Sequence, residues 1–173
     1  MCKERLFHIS ENPKIEIFIP RVSPSHFDDI GSDVVFAISE KLLHNYLFPR
    51  DCPRIAFYAT NKTSQEDKER LMGPTTATYV VAVENRWMTA IQKTTLFVYE
   101  MPAPYFSLLD ECAGYYISRR TVAPLSIKPV YNILEELLKR EIELRMMPSL
   151  QNLAVQIGRS TLNYSVIRMR NAR

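Results

Sequence analysis

A chain of 173 residues can bury a core without disulfide or metal staples, and 46% hydrophobic against 24% charged residues excludes a disordered or fibrous protein. The 22 Lys and Arg against 19 Asp and Glu leave a net charge of +3, which does not indicate nucleic-acid binding. No apolar run approaches the length of a membrane span, and Cys2, Cys52 and Cys112 stand far apart in no CxxC spacing, so a reducing, cytoplasmic setting is expected.

The first expected strand, Arg5 to Ser10, places His8 inside an apolar run that Glu11-Asn-Pro13 ends. Lys14 to Ile19 alternates like a half-buried strand, and Arg21 to Ser32 turns to loop composition. Asp33 to Ile38 is a continuous apolar run, as in a strand central to a sheet. Ser39 can cap a helix that opens at Glu40 and stops before Pro49, because the residue before proline leaves the α region.

A polar corner from Pro49 to Arg54 leads into a strand at Ile55 to Tyr58, and Thr63 to Met72 reads as a charged helix with Ser64 as its cap. A strand at Thr78 to Val83 precedes a helix from Glu84 to Gln92; further strands are expected at Thr94 to Met101, Tyr115 to Ser118 and Val122 to Ile127. The clearest helix is Pro129 to Arg140, with Val130, Ile133, Leu134, Leu137 and Leu138 on one stripe. Glu141 to Met147 reads as a strand and Thr161 to Arg170 as an edge strand. Strands and helices in no strict alternation predict a single α+β domain over residues 1–173 with a mixed or mainly antiparallel sheet.

Several chemistries are excluded. Four glycines, Gly31, Gly73, Gly114 and Gly158, build neither a P-loop nor a dinucleotide fingerprint. His8, His26 and His44 form no metal-binding pair, although His26 with Asp28 keeps a metal reading open, and no nucleophile motif is present. No two carboxylates are singled out as a catalytic pair.

The polar candidates each admit two readings. His8 is either a hydrogen-bonded core histidine or a ligand-binding group at a strand end, with Ser10 sharing its face. Tyr46 packs with Leu42 and Leu43, its hydroxyl at the rim. Arg50 and Arg54, fixed by two prolines, suit a bidentate grip on a phosphate or carboxylate, and pair equally well with Asp51 or Glu40. Arg119 directly follows the strand holding Tyr116, a usual place for a site residue and equally for a solvated one.

The stretches Leu6-Phe-His8-Ile-Ser-Glu-Asn-Pro13, Leu47-Phe-Pro-Arg50-Asp-Cys-Pro-Arg54, Tyr116-Ile-Ser-Arg119, Glu143 to Leu150 and Ile167 to Ala172 together resemble an uncharacterised bacterial family of Bacillus-type proteins. The order of a strand with a central His, a strand running into a helix with Tyr46, and a later strand Gly-Tyr-Tyr-Ile-Ser is also similar to the ADP-ribosyltransferase-like superfamily. That second resemblance implies a nucleotide ligand, with NAD as substrate, or a phosphorylated substrate as in the RNA 2′-phosphotransferases. It implies that His8 binds the nicotinamide ribose, that Tyr46 stacks on nicotinamide, and that Arg50, Arg54 or Arg119 holds phosphate.

The superfamily's acid at the start of the later strand falls at Tyr115 or Tyr116, where this chain has no Glu. A transferase, a hydrolase acting on a phosphorylated substrate, and a non-catalytic binding module of the same fold therefore all remain as readings. The oligomeric state is not legible in the sequence.

Overall fold

The computed structural model describes residues 4–22 and 33–173. Most of the expected loop from Arg21 to Ser32, with His26 and Asp28, lies outside the described residues. The architecture is α+β, and the chain divides into two compact units: Met1–Leu43 with Leu96–Val130, and His44–Thr95 with Tyr131–Arg173.

The first unit is built on a six-stranded, wholly antiparallel sheet in the order β6-β7-β2-β1-β5-β8. Its strands are β1 Leu6–Ser10, β2 Val35–Ser39, β5 Leu96–Met101, β6 Ser107–Asp110, β7 Tyr115–Ser118 and β8 Ser126–Val130. The apolar run of β2 is central, between β1 and β7, as a strand apolar on both faces must be. Leu6, Val35, Ala37, Tyr99 and Met101 form one buried cluster with Phe18 and Val122.

Lys14 to Ile19 does not become the strand its alternation predicts; it is an extended segment joined to β structure at the single bridge from Phe18 to Val122. Phe18 is buried and Ile15 half-buried, three positions apart, while Ile17 and Ile19 stay exposed, a spacing foreign to a flat strand. The Ile15 N–H is also taken by the Tyr99 hydroxyl at 3.2 Å. The expected strand from Val122 to Ile127 is likewise divided, because Val122 bridges to Phe18 and regular pairing begins only at Ser126. β6 has no counterpart in the periodicity, since its short sequence Ser-Leu-Leu-Asp has no alternation.

Ser39 does not cap an α-helix. It ends β2, its N–H bonding the Gly114 carbonyl at 2.9 Å, and the Glu40 N–H bonds the Arg5 carbonyl at 3.0 Å. The chain then makes a 3₁₀ helix at Glu40–Tyr46 that breaks at Leu42 (φ −110°, ψ 15°). Gly114 has φ 67°, and a Cβ there would lie 2.6 Å from Ser39 Oγ, so the close approach requires glycine.

The second unit holds a four-stranded sheet in the order β10-β3-β4-β9, with β3 Arg54–Tyr58, β4 Tyr79–Glu84, β9 Glu143–Met147 and β10 Asn163–Ile167. The β4 and β9 pair is parallel and the others antiparallel. Ile55, Phe57, Val80 and Ala82 pack with Leu71, Met72, Leu150, Leu153 and Ile157. The helices are α1 Gln65–Asp67, which continues through a wide turn at Lys68–Met72, then α2 Met88–Lys93, α3 Ile133–Lys139 and α4 Gln151–Gly158. Ser64 Oγ accepts from the Asp67 N–H, the cap its position predicts.

The helix expected from Pro129 starts later. Pro129 lies in edge strand β8 opposite Phe97, and Asn132 Oδ1 accepts from the Glu135 N–H at 3.1 Å to open α3. Its buried stripe narrows to Ile133 and Leu137, with Leu138 exposed.

Candidate functional site

His8 sits on β1 where two pairings behave differently. Against β5 the register continues from Leu6 to Ser10, but against β2 it covers only Leu6 with Ser39 and Phe7 with Ile38. Just past that limit His8 Nδ1 lies 2.9 Å from the Phe36 carbonyl oxygen. A carbonyl only accepts, so Nδ1 carries a proton and donates it. The ring is half-buried, its centroid 4.7 Å from that of Phe18. Both readings of His8 thus keep a physical basis: it is hydrogen-bonded and packed, and it stands at the parting of two strands.

Ser10 Oγ accepts from the Asn12 N–H, and Asn12 Oδ1 from the Lys14 N–H, so successive side chains turn the chain out of β1. The buried Tyr99 fixes this turn from β5, its hydroxyl donating to the Asn12 carbonyl at 2.6 Å. Beside it lies a groove of about 420 Å³ lined by Lys14, Glu16, Tyr99, Pro124, Ser126 and Ile127 among others; His8 is not among its lining residues. Tyr116, opposite Ala37, packs on the cluster that contains Phe18, and burial pushes its phenol up. Arg119 is exposed just beyond β7. Glu100 accepts both Nε and Nη2 of Arg5 at 3.0 Å, which holds its carboxyl below the usual range.

The other three sequence candidates belong to the second unit. Arg54, the first residue of β3, is 2% exposed. Its Nε donates to the Asn45 carbonyl at 2.6 Å and its Nη1 to the Cys52 carbonyl at 2.8 Å. The guanidinium carbon lies 5.3 Å from the Tyr46 ring and 5.6 Å from the Phe48 ring. These described bonds go to main-chain carbonyls rather than to the acids that the sequence suggested. Arg50 is exposed on the turn that the Cys52 N–H closes on the Pro49 carbonyl. The structure therefore brings Tyr46 and Arg54 together.

Sequence reasoning passed over Glu84. This carboxylate is fully buried at the end of β4, with Oε2 2.7 Å from Arg86 Nε and Oε1 accepting from the Arg173 N–H at 2.8 Å. Arg86 also donates to the Asn171 carbonyl, and Asn171 Nδ2 to the Asp51 carbonyl. The available signal was an acid ending the apolar run Val80 to Val83, with an arginine two residues on. Asn45 Oδ1 is buried without a hydrogen-bond partner among the described residues.

A model of a family of unknown function (DUF6886) matches residues 7–172. The chain belongs to that family. No curated protein and no solved structure matches it. In this DUF6886 member no group of three or more His, Cys, Asp or Glu suited to a metal ion occurs among the described residues. Nor is any helix among them long and apolar enough to cross a membrane. What the first unit offers chemically is an imidazole held by its Nδ1 hydrogen bond on a sheet face shared with tyrosines. The second offers two buried charged groups, Arg54 and Glu84, at the same end of the antiparallel pair β3 and β4, where Arg54 stands opposite Val83.

Proposed function

We propose that the first unit binds a nucleotide, with NAD as the first ligand to try, and that His8 receives a ribose hydroxyl. The observation that carries this reading is the Nδ1 bond to the Phe36 carbonyl. It fixes the direction of the imidazole at the point where β1 pairs on with β5 but no longer with β2. A ribose hydroxyl both donates and accepts, so it suits an imidazole nitrogen in either role. The resemblance to the ADP-ribosyltransferase-like superfamily, which assigns the strand histidine to ribose, supports the same role. Ser10, Tyr116 and Arg119 are the further ligand-facing candidates of this unit, Arg119 for phosphate. Tyr46, Arg50 and Arg54 are candidate ligand residues of the second unit taken by itself.

A binding module without turnover is favoured over a transferase by one observation. The positions where that superfamily carries its acid are Tyr115 and Tyr116, half-buried tyrosines that cannot stabilise a developing cation as a carboxylate does.

Thermal unfolding with millimolar NAD, ADP-ribose and nucleoside phosphates tests the reading, because a ligand well above its Kd must raise the transition. A rise with NAD or ADP-ribose that His8→Ala abolishes supports it. Unchanged unfolding with all three ligand classes overturns it. Mass spectrometry of incubated NAD then separates the module, which leaves NAD intact, from a transferase.

A further inference from the structure

The two sheets have four edges, and three carry a feature that opposes edge-to-edge pairing. β8 contains Lys128 and Pro129. β6 breaks register against β7 between Leu108 and Asp110. β9 carries Glu143 and Arg145 as an ion pair, and Arg145 also reaches the Leu71 and Met72 carbonyls.

β10 has none of these. Its residues Asn163-Tyr-Ser-Val-Ile167 hold no charge and no proline, and they pair with β3 in unbroken register. Tyr164 and Val166 are 40% and 42% exposed. Among the described residues, no backbone hydrogen bond outside the sheets involves residues 163–167.

We propose that β10 pairs with β10 of a second copy of this chain, antiparallel about a two-fold axis through Ser165. The occupant follows from self-complementarity. Centred on Ser165, antiparallel pairing sets Tyr164 against Val166 of the other copy, twice, an aromatic to β-branched pair of the kind that stabilises sheets. It also sends Arg168 and Arg170, which follow β10, to opposite ends of the joint, where a parallel arrangement would stack like charges. Five residues a side make a small interface, so the association is weak and concentration-dependent.

Light scattering on the full-length chain across a wide concentration series tests this. The expected mass rises toward twice the 20.1 kDa of one chain at high concentration, and Val166→Lys and Tyr164→Lys each return it to one chain with unchanged thermal unfolding. A monomer at every concentration overturns the proposal, as does a dimer that survives both substitutions. Should the variants lose their fold, hydrogen exchange on the unmodified protein decides. Protection of the amides at residues 163–167 that grows with concentration supports the pairing, and protection independent of concentration overturns it.

Discussion

His8 Nδ1 donates to the Phe36 carbonyl over 2.9 Å, linking β1 to β2 by a side chain just past the last residue pair of their ladder. The bond is local support for the parting strands whatever ligand meets Nε2. His8→Ala removes it and the contact with Phe18, and takes that donor from the Phe36 carbonyl. A loss of about 1–2 kcal/mol is expected from chemical denaturation. His8→Asn, which brings an N–H donor of its own, is expected to recover part of it.

Arg54 joins Asn45 and Cys52 through two donors of one rigid fork while its face lies near Tyr46 and Phe48. Lysine has the charge but neither the fork nor the plane. Arg54→Lys is expected to lower stability by about 2–3 kcal/mol, because the two carbonyls lose the donors that the fork supplies. The check is urea unfolding, where the midpoint falls; an unchanged midpoint removes Arg54 from the scaffold.

Gly114 can be tested in the same way. Its φ of 67° opposes any side chain, and so does Ser39 Oγ, which would stand 2.6 Å from an alanine Cβ at this position. Gly114→Ala is expected to cost about 2–4 kcal/mol, backbone strain and the clash together. Adding Ser39→Ala removes the nearest obstacle and is expected to return only part of the loss, because the positive φ remains.

The class of fold was legible because it rests on periodicity: β1, β2, β3, β4 and β5 all follow from apolar runs, and α1 from its Ser64 cap. What periodicity missed was decided by partners distant in sequence. Ile15 and Phe18 turn inward because Tyr99 and Val122 meet them, and Ser39 ends β2 beside Gly114, ahead of a 3₁₀ helix rather than an α-helix. Pro129 suits a first helical position, yet Asn132 sets the start and Phe97 places the proline in a strand. The site was legible as residue types only. That Arg54 turns inward to two carbonyls, and that Glu84 is buried, depends on the corner from Pro49 to Pro53 and on the docking of Met169 to Arg173, which no local pattern encodes.

Cys52 and Cys112 differ in reactivity for a physical reason. Burial pushes the Cys52 thiol up to about 12, whereas Cys112 is exposed. Thiolate is the reactive species, so an alkylating reagent at mildly alkaline pH is expected to modify Cys112 and spare Cys52 until the protein unfolds. Peptide mapping by mass spectrometry reads this directly, and early labelling of Cys52 contradicts the closed corner around it.

Asp67 gives the pH dependence with the clearest cause. Its carboxylate accepts from the Thr161 hydroxyl at 2.7 Å, from the Thr161 N–H at 2.8 Å and from Arg70, and these bonds hold the carboxyl well below its ordinary value. A folded-state pKa below the unfolded one means that the stabilisation is complete above the ordinary carboxylate range, about 3.9. It is lost as the pH falls through the folded value. Asp67→Asn is therefore expected to be less stable than the parent at neutral pH, with the gap closing in strong acid. Thr161→Val, which removes the leading hydrogen bond, is expected to reproduce part of that loss. Urea midpoints measured from neutral pH downward decide the matter, and a gap that stays constant to the lowest pH shows that the bonds to Asp67 are not what the protein loses in acid.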